Sequence, residues 1–80
     1  MAVKLVFLGK LADLAGAPEL ELACPLDWSG LLAALEPELG KAVRADRVRT
    51  AVNGGLIADK TLLLAGDGDE VALLPPVSGG

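Results

Sequence analysis

The sequence predicts an α+β fold, one mixed sheet packed on one main helix. Three observations carry this expectation. Strand-like alternation opens and closes the chain, in AVKLVFLG and EVALL. Between them one stretch, Trp28 to Leu35, places Trp28, Leu31, Leu32 and Leu35 at helical spacing. Further on, Asn53-Gly54 is the residue pair best suited to a tight hairpin, because both residues tolerate positive φ.

The elements follow in order. In the first strand Val3, Leu5 and Phe7 point one way and Lys4, Val6 and Leu8 the other. Gly9 ends it. Leu11, Leu14 and Ala15 predict a short helix over 10–16, with Gly16 as a left-handed cap. After the Ala17-Pro18 turn, ELELA predicts a strand with Leu20 and Leu22 on its dry face and Glu19 and Glu21 on its wet one. Asp27 is a good N-cap for the main helix, since its carboxylate can accept the orphan amides. Pro37 stops or kinks that helix, and PELGKAVRA adds a further helical turn. RVRTAVN is a strand and Leu56-Ile57 begins its return. Asp59-Lys60 is a turn, TLLLA a short 3₁₀ or helical piece and AGDGDE a second turn. The last strand aims Val71 and Leu73 one way, Ala72 and Leu74 the other. No repeat or linker divides the chain, so a folded domain over 1–74 and a tail over 75–80 are expected.

Composition narrows the function. Apolar residues make up 52% of the 80, which fits a packed domain and argues against disorder. Seven basic residues against eleven acidic give a net charge of −4, the wrong sign for a general nucleic-acid binder. With no histidine and one cysteine, a Ser-His-Asp triad, a Cys-His pair, a zinc finger and an internal disulfide are excluded. An iron–sulfur site would need four cysteines. Gly9-Lys10 lacks the upstream glycine and following hydroxyl of a phosphate loop. Asp67, Asp69 and Glu70 miss the calcium-loop spacing and read as a solvated turn. Cys24, with no base to activate it, reads as a small buried hydrophobe. No metal site is expected. The N-terminal apolar run Leu5–Leu8 is too short for a signal peptide, and no run reaches the ~20 residues of a membrane span. A soluble cytoplasmic protein with no nucleic-acid or membrane partner is the expectation.

Two features remain. The first and last strands are apolar on both faces, so Val6, Leu8 and Leu74 form a patch opposite the helix. Such patches mark partner surfaces, unless the short helix or a loop covers them. The chain then ends Pro75-Pro76-Val77-Ser78-Gly79-Gly80. Two prolines stiffen the exit from the strand, and two glycines place no Cβ near the terminal carboxylate. Six residues reach at most ~20 Å when extended, enough to enter a narrow channel in another protein.

The stretch GDGDEVALLPPVSGG resembles the C-terminus of the small, sulfur-carrying subunits of molybdopterin synthase. AVNGGLIAD and VKLVFLGKLADLAGAPELEL resemble the same family, so the likeness covers nearly the whole chain. Its most specific part is the Pro-Pro-Val-Ser-Gly-Gly ending. The segment Lys60–Ala65 departs from the family in being slightly longer. The resemblance implies a β-grasp, ubiquitin-like fold. It implies that a partner adenylating enzyme of E1 type, using ATP and magnesium, activates the carboxylate of Gly80, and that sulfur then replaces one oxygen. It further implies that Pro75, Pro76, Val77, Ser78 and Gly79 thread this thiocarboxylate into the synthase large subunit, where sulfur passes to cyclic pyranopterin monophosphate. A heterotetramer with two large subunits follows, with Leu8, Leu56 and Leu74 at the interface. This chain would bind no cofactor, acting as the non-catalytic sulfur donor of the complex. The same fold and tail would serve a carrier for thiamine or tRNA thiolation, or a ubiquitin-like protein modifier. An interaction module whose glycines are incidental is the third reading.

Overall fold

A computed structural model describes residues 2–35, 38–45 and 47–75. The elements are β1 (Ala2–Phe7), α1 (Lys10–Ala15), β2 (Glu19–Ala23), β3 (Leu26–Asp27), α2 (Trp28–Leu35), α3 (Glu38–Arg44), β4 (Arg49–Val52), β5 (Gly55–Leu56), a 3₁₀ turn (Lys60–Leu62), β6 (Leu64–Ala65) and β7 (Glu70–Leu74). Five strands form one mixed sheet in the order β2-β1-β7-β4-β5. The two terminal strands, β1 and β7, lie side by side and parallel at its centre, and the other pairs are antiparallel. β3 and β6 form a separate two-stranded ladder.

Register decides which residues face the helices. Leu5 pairs with Val71, Phe7 with Leu73, and Leu73 with Thr50. These side chains, with Val3, are buried against Leu31 and Leu35 of α2 and Leu39 and Val43 of α3. α1 adds Leu11 to the same core. The inward set is therefore the alternation expected of the sequence, Val3, Leu5 and Phe7 from one end and Val71 and Leu73 from the other.

Local signals act as their chemistry dictates. Asp27 Oδ1 accepts the Gly30 amide at 2.8 Å, capping α2. Gly16 closes α1 at φ 77, and Asn53 and Gly54 turn the β4–β5 hairpin at φ 50 and 85. Two elements exceed expectation. The further helical turn is a full helix, α3, because Leu39 and Val43 at i and i+4 find a core to bury in. TLLLA divides into the 3₁₀ turn and β6, because Leu63 and Ala65 bury while Leu62 and Leu64 point to solvent, an alternation that lets Leu64 pair with Asp27. Pro37 lies outside the described residues. Cys24 is half-buried rather than fully so, and packs on the core's edge before a cis bond to Pro25.

Polar clasps hold the loops. Asp69 accepts the Gly66 amide at 2.9 Å and the Asn53 side-chain amide at 3.0 Å, while Asn53 accepts the Glu70 amide, so the hairpin is tied to the turn before β7. Asp67 accepts the Ala2 amide. The acidic turn is thus a structural lock. Lys60 donates to the carbonyls of Ala45 and Val48 and lies 5.7 Å from the centre of the Trp28 ring, closing the α3–β4 connection.

The Gly66 amide, then the Asn53 side chain, hold the Asp69 carboxyl below its ordinary value of 3.8. A carboxyl depressed by folding contributes stability above its unfolded pKa, lost as pH falls through the folded value. Asp69→Ala should therefore lower the thermal midpoint at neutral pH. The gap to wild type should close as the pH is taken below 3.8. Thermal melts across that range check this, and a gap independent of pH would contradict it.

Candidate functional site: the outer sheet face and the tail exit

On the outer face the register builds three rows across the strands. The row farthest from the chain's exit is charged: Lys4 stands between Glu21 and Glu70. The middle row runs Glu19, Val6, Ala72, Ala51, Leu56. At the exit end Leu74 stands opposite Arg49. Leu8 extends the parallel ladder beside it, its amide donating to the Leu73 carbonyl at 3.2 Å. Alternation from buried Phe7 sends Leu8 outward.

This places Leu8, Leu56 and Leu74 on one face, opposite the helices. Leu8 is 41% exposed and Leu56 65%, while Leu74 is half-buried between its neighbours. α1 does not cover them, because its buried residue, Leu11, turns into the core. Toward the exit the patch is leucine-rich with Arg49 at its side, and away from the exit it is charged. A partner docked there would receive the chain where it leaves β7.

The exit is shaped by a residue that sequence reasoning left as a strand end. Gly9 has φ 56 and ψ −131, a conformation for which only glycine is suited. A Cβ on Gly9 would come 3.1 Å from Cγ of Pro75. The first residue of the tail therefore rests on the Gly9 backbone. Only the order of the sheet, which sets β1 beside β7, brings the two together. Arg49 beside Leu74 was likewise missed, and the alternation of RVRTAVN could have placed it. Pro76, Val77, Ser78, Gly79 and Gly80, the rest of the expected tail, lie outside the described residues.

A cavity of about 410 Å³ lies between α3, β4 and the 3₁₀ turn, and Trp28, Arg44, Thr50 and Lys60 line it. Among the described residues the buried Thr50 hydroxyl has no hydrogen-bond partner. The nearby Asp59 carboxylate is engaged by the Thr61 hydroxyl and amide, which lower its pKa, so it is a poor base. Among the described residues no three Cys, Asp or Glu side chains gather to hold a metal ion. No helix among them is long and apolar enough to cross a membrane.

Residues 5–80 match the ThiS family. The chain belongs to that family. It thus has the ubiquitin-like β-grasp fold of the sulfur-carrier family, and the parallel central pair and covering helices are that fold. Solved structures agree. SAMP1, the small archaeal modifier protein 1 of Methanosarcina acetivorans, is 28% identical, with 99% of this chain and 96% of that one covered at a TM-score of 0.80. Subunits 1 and 2 of the molybdopterin-converting factor of Helicobacter pylori form a complex, and a chain of it is 29% identical over 100% of both at 0.68. SAMP1 of Haloferax volcanii is 25% identical over 100% of both at 0.73. No curated protein matches the chain significantly. As a ThiS-family member the chain is a sulfur carrier or ubiquitin-like modifier, and its relatives span both roles.

Proposed function

We propose that this chain is the sulfur-carrier subunit of a molybdopterin synthase, with the carboxylate of Gly80 as its reacting group. The observation that carries the reading is the continuity of the apolar outer face with the tail exit at Leu74, Gly9 and Pro75. Docking on that face delivers the C-terminus into the partner. The Helicobacter pylori complex is a relative's assembly of this kind, and it supports a large-subunit partner here.

The chemistry follows from a carboxylate. Its oxygen attacks the α-phosphate of ATP in an adenylating enzyme of E1 type, pyrophosphate leaves with magnesium, and the acyl adenylate forms. A sulfur nucleophile from a donor then displaces AMP, giving a thiocarboxylate. Sulfur is the softer, stronger nucleophile. In the large subunit it attacks cyclic pyranopterin monophosphate, and hydrolysis of the acyl bond returns the carboxylate. Each carrier delivers one sulfur, so a dithiolene takes two deliveries. Acid–base groups and substrate binding belong to the large subunit, which fits a heterotetramer of two large and two small subunits. ATP and magnesium belong to the adenylating enzyme.

The small archaeal modifier relatives favour a second reading, in which the activated Gly80 is passed to lysine amines of other proteins. One reconstitution separates the two. The chain is incubated with adenylating enzyme, ATP, magnesium and a sulfur donor, then with large subunit and cyclic pyranopterin monophosphate. Replacement of one oxygen by sulfur in the intact mass, followed by molybdopterin formation, is expected. Loading without molybdopterin, together with isopeptide-linked adducts, would assign the modifier role instead.

A further inference from the structure

A second surface lies away from the outer face. β2 ends the five-stranded sheet, and among the described residues nothing pairs with its outer edge. It is exposed nearly along its length. Its alternate N–H and C=O groups point away from β1, an open template for another strand. On the helix side of that edge runs a groove of about 260 Å³, lined by Leu14, Ala15, Leu20, Leu35 and Leu39. Leu14 is 52% exposed and Leu20 38%. Leu20 faces inward by register, opposite Leu5, yet stays 38% exposed in the groove that it shares with Leu14 and Ala15 of α1 and Leu35 of α2.

Charge selects the occupant. Among the described residues the one charged side chain lining the groove is acidic, Glu38. On the other face of β2 stand Glu19 and Glu21. Lys4 lies 3.7 Å from Glu19 and opposite Glu21, so among the described residues one cation stands beside both carboxylates and the edge keeps a negative excess. Side chains directly across from an added strand meet these residues, and opposite charges are favoured there. The required pattern is apolar side chains toward Leu20, Leu22 and Leu14, alternating with basic ones toward Glu19 and Glu21. A second copy is disfavoured in the registers centred on the middle of the strand. A two-fold register centred on Leu20 sets Glu19 against Glu21, and one centred on Glu21 sets that residue against itself, which like charges oppose.

We propose that the β2 edge and its groove dock an extended partner segment of alternating basic and apolar residues, added as a further strand of the sheet. This surface is apart from Leu8, Leu56 and Leu74, so it stays accessible while the tail is engaged. The chain can then be held by one protein while it reacts in another.

The test is an NMR titration of the full chain with a blocked hexapeptide of alternating isoleucine and lysine, against one of isoleucine and glutamate. Amide shifts should concentrate on Glu19–Ala23, Leu14, Leu35 and Leu39. The lysine peptide should bind about tenfold more tightly at low salt, with the ratio shrinking as salt screens it. Leu20→Arg, at an already exposed position, should leave the core shifts intact and weaken binding by about tenfold. Leu74→Glu and removal of Gly79 and Gly80 should bind as wild type, which separates this surface from the sulfur-carrier reading. Equal binding of both peptides, shifts on the outer face or full binding by Leu20→Arg would overturn the proposal. So would a concentration-dependent dimer in sedimentation that Leu20→Arg abolishes, since the groove would then belong to a second copy.

Discussion

Appending one residue after Gly80 should abolish sulfur loading while leaving the fold and its docking intact. The adenylate forms on a free carboxylate. An added residue converts that carboxylate into a peptide carbonyl, whose oxygen is a far weaker nucleophile, and moves the new terminus beyond the reacting position. Among the described residues the core is formed by side chains such as Val3, Leu5, Val71 and Leu73, all before the tail. Deleting Gly79 and Gly80 should likewise leave the thermal midpoint within a few degrees of wild type, as expected when less than about 1 kcal/mol is involved. Intact-mass spectrometry reads the sulfur, and calorimetry against the adenylating enzyme reads docking. An extended chain that still acquires sulfur, with no protease returning it to Gly80, would remove Gly80 from the mechanism. A large fall in thermal midpoint on deletion would mean that the tail is packed on the domain.

The parts of this molecule legible in its sequence are those governed by near neighbours. Alternation in β1 and β7 fixed which side chains go inward, because a strand's period of two leaves no other choice once one face is buried. Asp27, Gly16 and Asn53-Gly54 signalled a cap, a helix end and a hairpin for reasons contained within a few residues. The outer patch was legible as well, since Val6, Leu8 and Leu74 had to point away from the helix if their neighbours pointed toward it. What was not legible depends on residues far apart in the chain. Gly9 and Pro75 meet only because β1 lies beside β7. Lys60 finds the Ala45 and Val48 carbonyls only when the 3₁₀ turn comes beside the α3–β4 connection. The length of α3 was underestimated, since a proline at its start and a glycine within it lower local helical propensity, and burial of Leu39 and Val43 overrides that.

Adjacent leucines at the end of β7 should respond in opposite ways to the same charge. Leu73 is fully buried, paired in register with Phe7 and Thr50. A glutamate there replaces a side chain packed within the apolar core, and the neighbouring Thr50 hydroxyl cannot neutralise it. Burying an unpaired carboxylate beneath α2 and α3 adds to the cost of losing the leucine, which alone runs to roughly 2–5 kcal/mol. A domain of 80 residues holds only about 4–12 kcal/mol in all. Leu73→Glu should therefore be largely unfolded at room temperature, with its far-UV dichroism and cooperative melt lost. Leu74 lies one residue on, facing out beside Leu8 and Arg49. There a glutamate keeps its water in the free protein and has a cation across the strand pair. Leu74→Glu should melt within a few degrees of wild type, as surface changes of about 0.5 kcal/mol do. The cost appears on docking, when the carboxylate must be desolvated against an apolar partner. Affinity for the large subunit and for the adenylating enzyme should fall about 30-fold, the loss of roughly 2 kcal/mol expected of a central interface residue. Dichroism and calorimetry on the two variants decide it. If Leu74→Glu binds both partners normally, the outer face is not the docking surface. If Leu73→Glu folds as wild type, the inward row of β7 has been assigned to the wrong face.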